Sequence, residues 1–167
     1  MPLLTKAHLE HIARCGPWQP VELPDFALAL IGAMTLGDQD ALAWAWLSRD
    51  LAGVAPDCDY CCAWVCHSLE DKEQRSYLAD VSLETATQIP PGLVRKDLPR
   101  ATYLRFTQIE AARDLELLRD YMDYVWLPQS DYRVARPCYL VRYAAMPGLP
   151  SSKSDLEVYM PVERRQS

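Results

Sequence analysis

The chain has little glycine, few positive charges and no long apolar run, and each shortage excludes a class of protein. Only six of the 167 residues are glycine, and no glycine-rich loop is present that would bind phosphate. No apolar stretch approaches the roughly 18 residues of a membrane-spanning helix. Lys and Arg number 17 against 23 Asp and Glu, which gives a net charge of -6. Direct nucleic-acid binding is therefore not expected, because phosphate contacts require clustered Lys and Arg.

The common catalytic and metal-binding patterns are also missing. His8 and His11 lie three residues apart without a third ligand, and His67 has no obvious acidic partner. No Ser-His-Asp or Cys-His arrangement is recognisable. No signal peptide is visible at the N-terminus, where apolar residues soon give way to charged ones. We therefore expect a cytoplasmic protein with no cofactor, no metal and no membrane contact.

Six cysteines are present, and four of them fall within residues 58–66. A structural zinc site usually combines two ligand pairs separated by a longer loop, whereas these four lie on one short, strand-like segment. In an extended chain Cys62 and Cys66 would share a face about 13 Å apart, which is too far for one metal ion. We expect reduced, mostly buried cysteines. Metal binding and redox chemistry at Cys58-x-x-Cys61 remain less favoured alternatives.

Apolar periodicity indicates two similar halves, which span residues 21–86 and 93–163. Each half has the order strand, helix, strand, strand. Two such units can pair into one antiparallel sheet with both helices packed on one face, which is an α+β fold. A ligand cleft would then lie on the opposite face or between the repeats. Residues 1–20 form a helical arm that looks like an appendage, and residues 164–167 form a tail.

The boundaries of these elements follow from turns rich in Pro and Gly. The helices are predicted at 39–51 and 109–126. The strands are predicted at 21–36, 60–68 and 76–84 in the first half, and at 93–98, 101–108, 137–143 and 155–162 in the second. Within the first of them, pairing is expected to begin only after Pro24.

The last predicted strand alternates strictly between apolar and polar residues. Its apolar face is formed by Leu156, Val158, Met160 and Val162. Glu157 and Tyr159 share the other face. That pair either covers a solvated sheet surface or lines a pocket for a positively charged or flat apolar ligand.

Four stretches together carry a family resemblance over residues 21–163. They are Val21-Glu22-Leu23-Pro24 before an apolar strand, the hairpin at 97–106, the helix end Trp126-Leu127-Pro128-Gln129-Ser130-Asp131-Tyr132, and the terminal strand at 155–162. With these features the chain resembles the AraC-type effector-binding domain, also called the GyrI-like domain, which has a SOUL-related fold.

The resemblance implies a small-molecule-binding module. Family members sense or sequester amphipathic, often cationic, drug-like compounds in an aromatic cleft that contains an acidic residue, which is a form of multidrug binding. Some serve transcription regulation and some inhibit DNA gyrase, while a smaller branch is hydrolytic and uses a Glu and a Tyr. We therefore expect a stand-alone sensor or sequestering domain without its own DNA-binding domain. A hydrolase and a gyrase-type inhibitor remain alternatives.

The expected partner is a hydrophobic or amphipathic small molecule, with a transcription regulator or gyrase as candidate protein partners, and the chain is either a monomer or a homodimer. Glu157 would supply a counter-charge, or a general base in the hydrolytic alternative. If Glu157 is partly buried, its pKa should be raised. The candidate ligand-binding residues are Glu157, Tyr159, Tyr103, Trp126, Trp64 and Arg142.

The strand after Pro137 departs from the pattern of the family that it resembles. Family members often have Pro-x-aromatic-Glu-x-Tyr there, whereas this chain has Leu140 and Arg142 at the last two defined positions. One acid and one aromatic are therefore missing. An arginine that faces a pocket would repel a cation and could instead hold a carboxylate.

Overall fold

The computed structural model describes residues 4–16, 21–23, 29–37, 39–51, 61–67, 75–82, 91–97, 101–109, 112–143 and 156–166. Within these ranges the helices are α1 (Lys6–Cys15), α2 (Asp40–Leu51), α3 (Ala112–Tyr121), a π-helical turn (Met122–Trp126) and the short α4 (Leu127–Gln129). The strands are β1 (Val21–Leu23), β2 (Ala29–Leu36), β3 (Cys61–His67), β4 (Arg75–Ser82), β5 (Val94–Asp97), β6 (Ala101–Ile109), β7 (Tyr132–Val134), β8 (Cys138–Tyr143) and β9 (Leu156–Arg164).

The sheet has two equivalent halves that meet at the β3–β8 pair. Its strand order is β1-β6-β9-β8-β3-β4-β2-β5, all recorded pairs are antiparallel, and β7 adds to β9 beyond this path. The first half is β2-α2-β3-β4 and the second is β6-α3-β8-β9. In both halves the last strand lies between the other two. The prediction of duplicated strand-helix-strand-strand units in one antiparallel sheet is confirmed.

Each half also lends a short strand to the other. β1 pairs with β6, where Leu23 faces Ala101, and β5 pairs with β2, where Asp97 faces Ala29. The single strand predicted at 21–36 is thus two strands in the structure, with partners at opposite ends of the strand order. The expectation that pairing begins only after Pro24 is wrong, because Val21–Leu23 already pair with β6 before this proline.

These exchanged strands require the sheet to curve strongly. Residues 24–28 connect β1 to β2, and the six Cα steps from Leu23 to Ala29 reach at most about 23 Å. In a flat sheet β1 and β2 would be six strand spacings apart, or roughly 29 Å. The sheet therefore bends so that its two ends approach each other.

The helices all pack on one face of the sheet, as predicted. Helix α2 contacts β2 and β4, and the Trp44 indole donates a 2.8 Å hydrogen bond to the Tyr77 hydroxyl beneath it. Burial raises the pKa of Tyr77, so its hydroxyl stays neutral. Leu118 of α3 and Met122 of the π-helical turn belong to the same core cluster. The fully buried Leu47 and Phe106 also belong to it.

Helix α1 belongs to this core and is not the appendage expected from its sequence. It contacts α3 and β6, Ile12 is fully buried, and Cys15 is 2% exposed. A capping box starts the helix: the Thr5 hydroxyl accepts from the His8 amide, and His8 Nδ1 accepts from the Thr5 amide, both at 3.2 Å. His8 therefore has a structural role at the helix N-terminus.

Residues 126–132, with the sequence Trp-Leu-Pro-x-Ser-x-Tyr, form the corner between the π-helical turn and β7. The Ser130 hydroxyl donates to the Leu127 carbonyl at 3.0 Å and accepts from the Tyr132 amide at 3.1 Å. Trp126 stacks on Tyr132 with ring centroids 6.1 Å apart. The helix ends three residues later than predicted, because Pro128 occupies an early position of α4, where its missing N–H is tolerated.

The prediction of reduced cysteines is wrong for two residues. Cys66 and Cys138 form a disulfide between β3 and β8, 72 residues apart in sequence, at the junction of the two halves. Cys15 and Cys62 are buried, as expected. Cys58, part of the redox alternative, lies outside the described residues. No group of three His, Cys, Asp or Glu able to hold a metal occurs among the residues that the structure describes.

None of the helices in the described part of the chain is long and apolar enough to cross a membrane.

Candidate functional site

A second, smaller cluster of side chains is buried on the face of the sheet that the helices leave uncovered. Side chains alternate along each strand, so every strand that supplies the core also supplies this face. Trp64 is 3% exposed, Tyr103 is fully buried and Tyr159 is 8% exposed. The described helices lie on the other side of the sheet, so they do not account for this burial. The cluster comprises Cys62, Trp64, Leu78, Tyr103, Leu140 and Tyr159.

The strand registers arrange these residues in rows across the sheet. In one row, Arg105 of β6 faces Tyr159 of β9, Tyr159 faces Leu140 of β8, and Leu140 faces Trp64 of β3. In the next row, Glu157 faces Arg142, and Arg142 faces Cys62. A charged row therefore lies directly beside an aromatic and aliphatic one.

Four polar side chains on this face form a connected group, here called the Glu157 cluster: Glu157, Arg105, Arg142 and Tyr159. Arg105 donates to Glu157 Oε1 at 2.8 Å. The Tyr159 hydroxyl donates to Glu157 Oε2 at 2.8 Å, and Arg142 approaches the same oxygen at 3.6 Å. Both carboxylate oxygens are thus engaged by groups within the chain.

The Glu157 cluster lies at the boundary between the buried aromatic residues and solvent. The side chain of Glu157 is 28% exposed, and those of Arg105 and Arg142 are 41% and 40% exposed. Tyr159, by contrast, has its ring buried and only its hydroxyl within the cluster. The charges are therefore accessible to a dissolved molecule, while the surface beneath them is apolar.

The ionisation of Glu157 differs from what its partial burial alone would give. Burial favours the neutral acid, but hydrogen bonds from Arg105 and Tyr159 and the charges of both arginines outweigh it. The pKa of Glu157 is therefore below its ordinary value, which corrects the expectation of a raised pKa. Burial, and then donation to Glu157, raises the pKa of the Tyr159 hydroxyl, which stays protonated.

A separate cavity of about 250 Å³ lies between the π-helical turn, the end of β3 and the segment before β8. Its walls include Met122, Tyr139 and Met160, with Arg119 and Arg136 among the charged residues. No residue of the Glu157 cluster is among its described walls. We give the Glu157 cluster more weight as a candidate site, because Arg105 and Tyr159 both donate hydrogen bonds of 2.8 Å to one carboxylate and Arg142 lies 3.6 Å from it.

The sequence matches the model of the GyrI-like small molecule binding domain over residues 32–163, which is most of the chain. The chain belongs to this family.

Solved structures support the fold of this GyrI-like domain. An integron cassette protein from the mobile metagenome of Vibrio cholerae is similar with a TM-score of 0.61 and 13% identity, covering 87% of this chain and 95% of its own. The protein SAV2435, solved bound to tetraphenylphosphonium, has a TM-score of 0.57 and 18% identity, covering 87% and 93%. An uncharacterised conserved protein from Listeria innocua has a TM-score of 0.51 and 11% identity, and the match covers 87% of this chain and 92% of its own. Comparison with functionally curated proteins finds no match.

The GyrI-like domain brings five of the six candidate residues to one face of its sheet. Glu157, Tyr159 and Arg142 belong to the Glu157 cluster. Trp64 lies in the row beside it, and Tyr103 is buried one row further on, facing Pro161 of β9. Trp126 lies elsewhere, at the helix corner on the core side, where it stacks on Tyr132.

Arg105 is the residue that sequence reasoning missed. It follows Tyr103 by two positions on a predicted strand, so the two share a face, and this parity was visible in the sequence. Its pairing with Tyr159 was not visible, because it depends on the register between β6 and β9. That register shifts between Phe106 and Ile109, a bulge that no residue pattern announces.

Proposed function

We propose that this GyrI-like domain binds an amphipathic small molecule at the Glu157 cluster and acts as a sensor or sequestering module. The observation that carries the proposal is the position of this cluster, where hydrogen-bonded charges are half-exposed directly above buried aromatic side chains. Small-molecule sites combine a mostly apolar wall with a few placed polar groups. The bound tetraphenylphosphonium of SAV2435, a protein of similar fold, supports the same class of ligand.

The apolar part of the ligand would contact the row formed by Tyr159, Leu140 and Trp64. Aromatic rings provide a large contact area, and their faces favour stacking against flat or aromatic ligands. The polar part would reach Arg105, Arg142 or Glu157 at the solvent side. In this arrangement the aromatic row contributes affinity and the charged row fixes orientation.

The hydrolytic alternative has less support from the geometry. A general base works best when its pKa lies near the operating pH. The arginines lower the pKa of Glu157, and the Tyr159 hydroxyl already donates a hydrogen bond to that carboxylate. Neither group is poised to exchange a proton near neutral pH, so we favour binding over catalysis.

Several finer expectations remain predictions. They are the cytoplasmic location, the absence of a separate DNA-binding domain, the signal to a transcription regulator or gyrase, and the choice between monomer and homodimer. The ligand site does not depend on any of them.

The proposal is tested with N-phenyl-1-naphthylamine, a neutral amphipathic fluorophore whose binding does not depend on ligand charge. We expect saturable quenching of tryptophan fluorescence together with a raised melting temperature. Trp64→Phe should remove most of the quenching, because Trp64 lies beside the Glu157 cluster. Trp46→Phe is the matched control, since Trp46 lies on α2 and is 37% exposed. Equal quenching in both variants would place the fluorophore elsewhere and contradict the proposal.

A further inference from the structure

The charges of the Glu157 cluster do not balance. Two guanidinium groups, those of Arg105 and Arg142, accompany the single carboxylate of Glu157. Arginine stays protonated under all ordinary conditions, and Glu157 is ionised near neutral pH. Counted over the side chains that the structure describes, the cluster carries one net positive charge, although the whole chain carries a net charge of -6.

We propose that the ligand of the Glu157 cluster carries a negative charge, such as a carboxylate or sulfonate attached to an apolar body. This inference rests on the proposed function and specifies the substrate class of the same site. A cation would meet two arginines in front of a carboxylate whose two oxygens already accept hydrogen bonds. An anion would meet the same arginines as donors.

The hydrogen bonding of Arg105 supports an acceptor as the incoming group. Arg105 Nε is buried, and no described residue accepts a hydrogen bond from it. A buried donor without an acceptor is costly, so an additional acceptor nearby would be stabilising. Arg142 lies 3.6 Å from Glu157 Oε2 and adds a second positive charge beside the same carboxylate.

The geometry of arginine suits this role. A guanidinium presents its N–H groups as a planar fork that matches carboxylate and sulfonate oxygens. Arg142 lies at a position where the family resemblance gives tyrosine, and it faces Glu157 directly across β8 and β9. Glu157 then orients the arginines from one side, and the anion approaches from solvent. In contrast, SAV2435 was solved with a cation.

A matched pair of fluorophores tests whether an anionic group adds affinity. N-phenyl-1-naphthylamine and 8-anilinonaphthalene-1-sulfonate share the same ring system, and only the second carries a sulfonate. We expect the sulfonate to bind at least about tenfold more tightly, a factor that corresponds to about 1.4 kcal/mol. In Arg142→Gln the preference should fall towards parity. In Arg133→Gln, which removes an exposed arginine on β7, it should persist.

A second pair of probes tests the sign of the charge at nearly constant shape. Tetraphenylphosphonium and tetraphenylborate are compared by displacement of bound N-phenyl-1-naphthylamine. We expect tetraphenylborate to compete more strongly than tetraphenylphosphonium. In Glu157→Gln the competition by tetraphenylborate should be stronger still, because the substitution removes the only negative charge of the cluster. The preference for the borate should weaken in Arg142→Gln and persist in Arg133→Gln.

Some outcomes overturn only the anion preference, and others overturn the proposed function as well. If N-phenyl-1-naphthylamine binds but tetraphenylphosphonium competes as strongly as tetraphenylborate or more strongly, the anion preference is overturned. The proposed function is then unaffected. Persistence of the anion preference in both Arg105→Gln and Arg142→Gln overturns this inference as well. If neither variant folds, Arg142→Lys replaces them, because lysine keeps the charge and loses the planar fork, and the sulfonate preference should then fall. If the neutral amine does not bind, the proposed function fails and this inference fails with it.

Discussion

The two faces of the sheet are made by the same strands but have opposite chemistry. Towards the helices, Ala63, Val65, Val141 and Val158 form an apolar surface that is almost completely buried. On the other face, the neighbouring positions carry Trp64, Tyr159 and the charges of the Glu157 cluster. Since side chains alternate along a strand, neighbouring positions of each strand belong to the helix-covered core and to the opposite face.

The GyrI-like domain thus carries its part-exposed ion pairs on the sheet face that the helices leave uncovered. The helix-covered face supplies the larger part of the hydrophobic core, and the opposite face carries only a smaller buried cluster beside its charges. Charges can then lie half-exposed on it, where desolvation is limited.

Neighbouring residues on β6 provide the most direct contrast between the faces. Phe106 is fully buried under the helices, and Arg105 points to the Glu157 cluster. We expect Phe106→Ala to lower the free energy of unfolding by about 3–5 kcal/mol, because it removes a large ring and leaves a cavity. Arg105→Gln should lower it by no more than about 1 kcal/mol, since part-exposed ion pairs contribute little. Urea denaturation measures both.

Similar losses in the two variants would contradict the assignment of stability to one face. Binding gives the reverse test of the same contrast. Arg105→Gln should weaken binding of the anionic fluorophore, whereas a folded conservative core variant, Phe106→Leu, should retain it.

The sequence predicted the alternation of the two faces but not the contacts between strands. The parity of Glu157 and Tyr159 on β9 follows from the period of a strand and is correct in the structure. The duplicated order of elements was likewise visible in apolar periodicity. In contrast, the exchange of β1 and β5 between the halves depends on which strands meet, and that is decided by packing over the whole sheet.

The same limit explains the missed disulfide and the missed arginine. Cys66 and Cys138 become neighbours only when β3 pairs with β8, and the cysteines near Cys66 in sequence drew attention to local pairs instead. Arg105 reaches Glu157 only in the register set before the β6 bulge. Helix α1 was judged by its few apolar residues, although Ile12 and Cys15 suffice to anchor it against α3 and β6.

The Cys66–Cys138 disulfide joins the two halves on the sheet face that the helices leave uncovered. Closing a loop of 72 residues restricts the unfolded chain, and disulfides of this kind typically contribute about 2–4 kcal/mol. We expect a reductant to lower the free energy of unfolding by this amount in the wild type. A double variant, Cys66→Ala with Cys138→Ala, should be less stable than the oxidised protein and insensitive to reductant. Equal stability with and without reductant would contradict a contribution from this bond.

The smallest expected effect is the pH dependence contributed by Glu157. Its pKa in the folded protein is below the ordinary value of 4.5, because Arg105 and Tyr159 favour the ionised form. The unfolded chain therefore binds a proton more readily than the folded one as the pH falls. The stabilisation by Glu157 is fully present above about pH 4.5 and is lost as the pH falls through the lower value of the folded state.

Melting temperatures measured between pH 7 and pH 3 test this dependence. Glu157→Gln should flatten the acid side of the curve, since the glutamine does not titrate. Tyr159→Phe should flatten it less, because it removes one of the hydrogen bonds that lower the pKa and leaves both arginines in place. An unchanged acid limb in Glu157→Gln would show that the arginines do not stabilise the folded carboxylate.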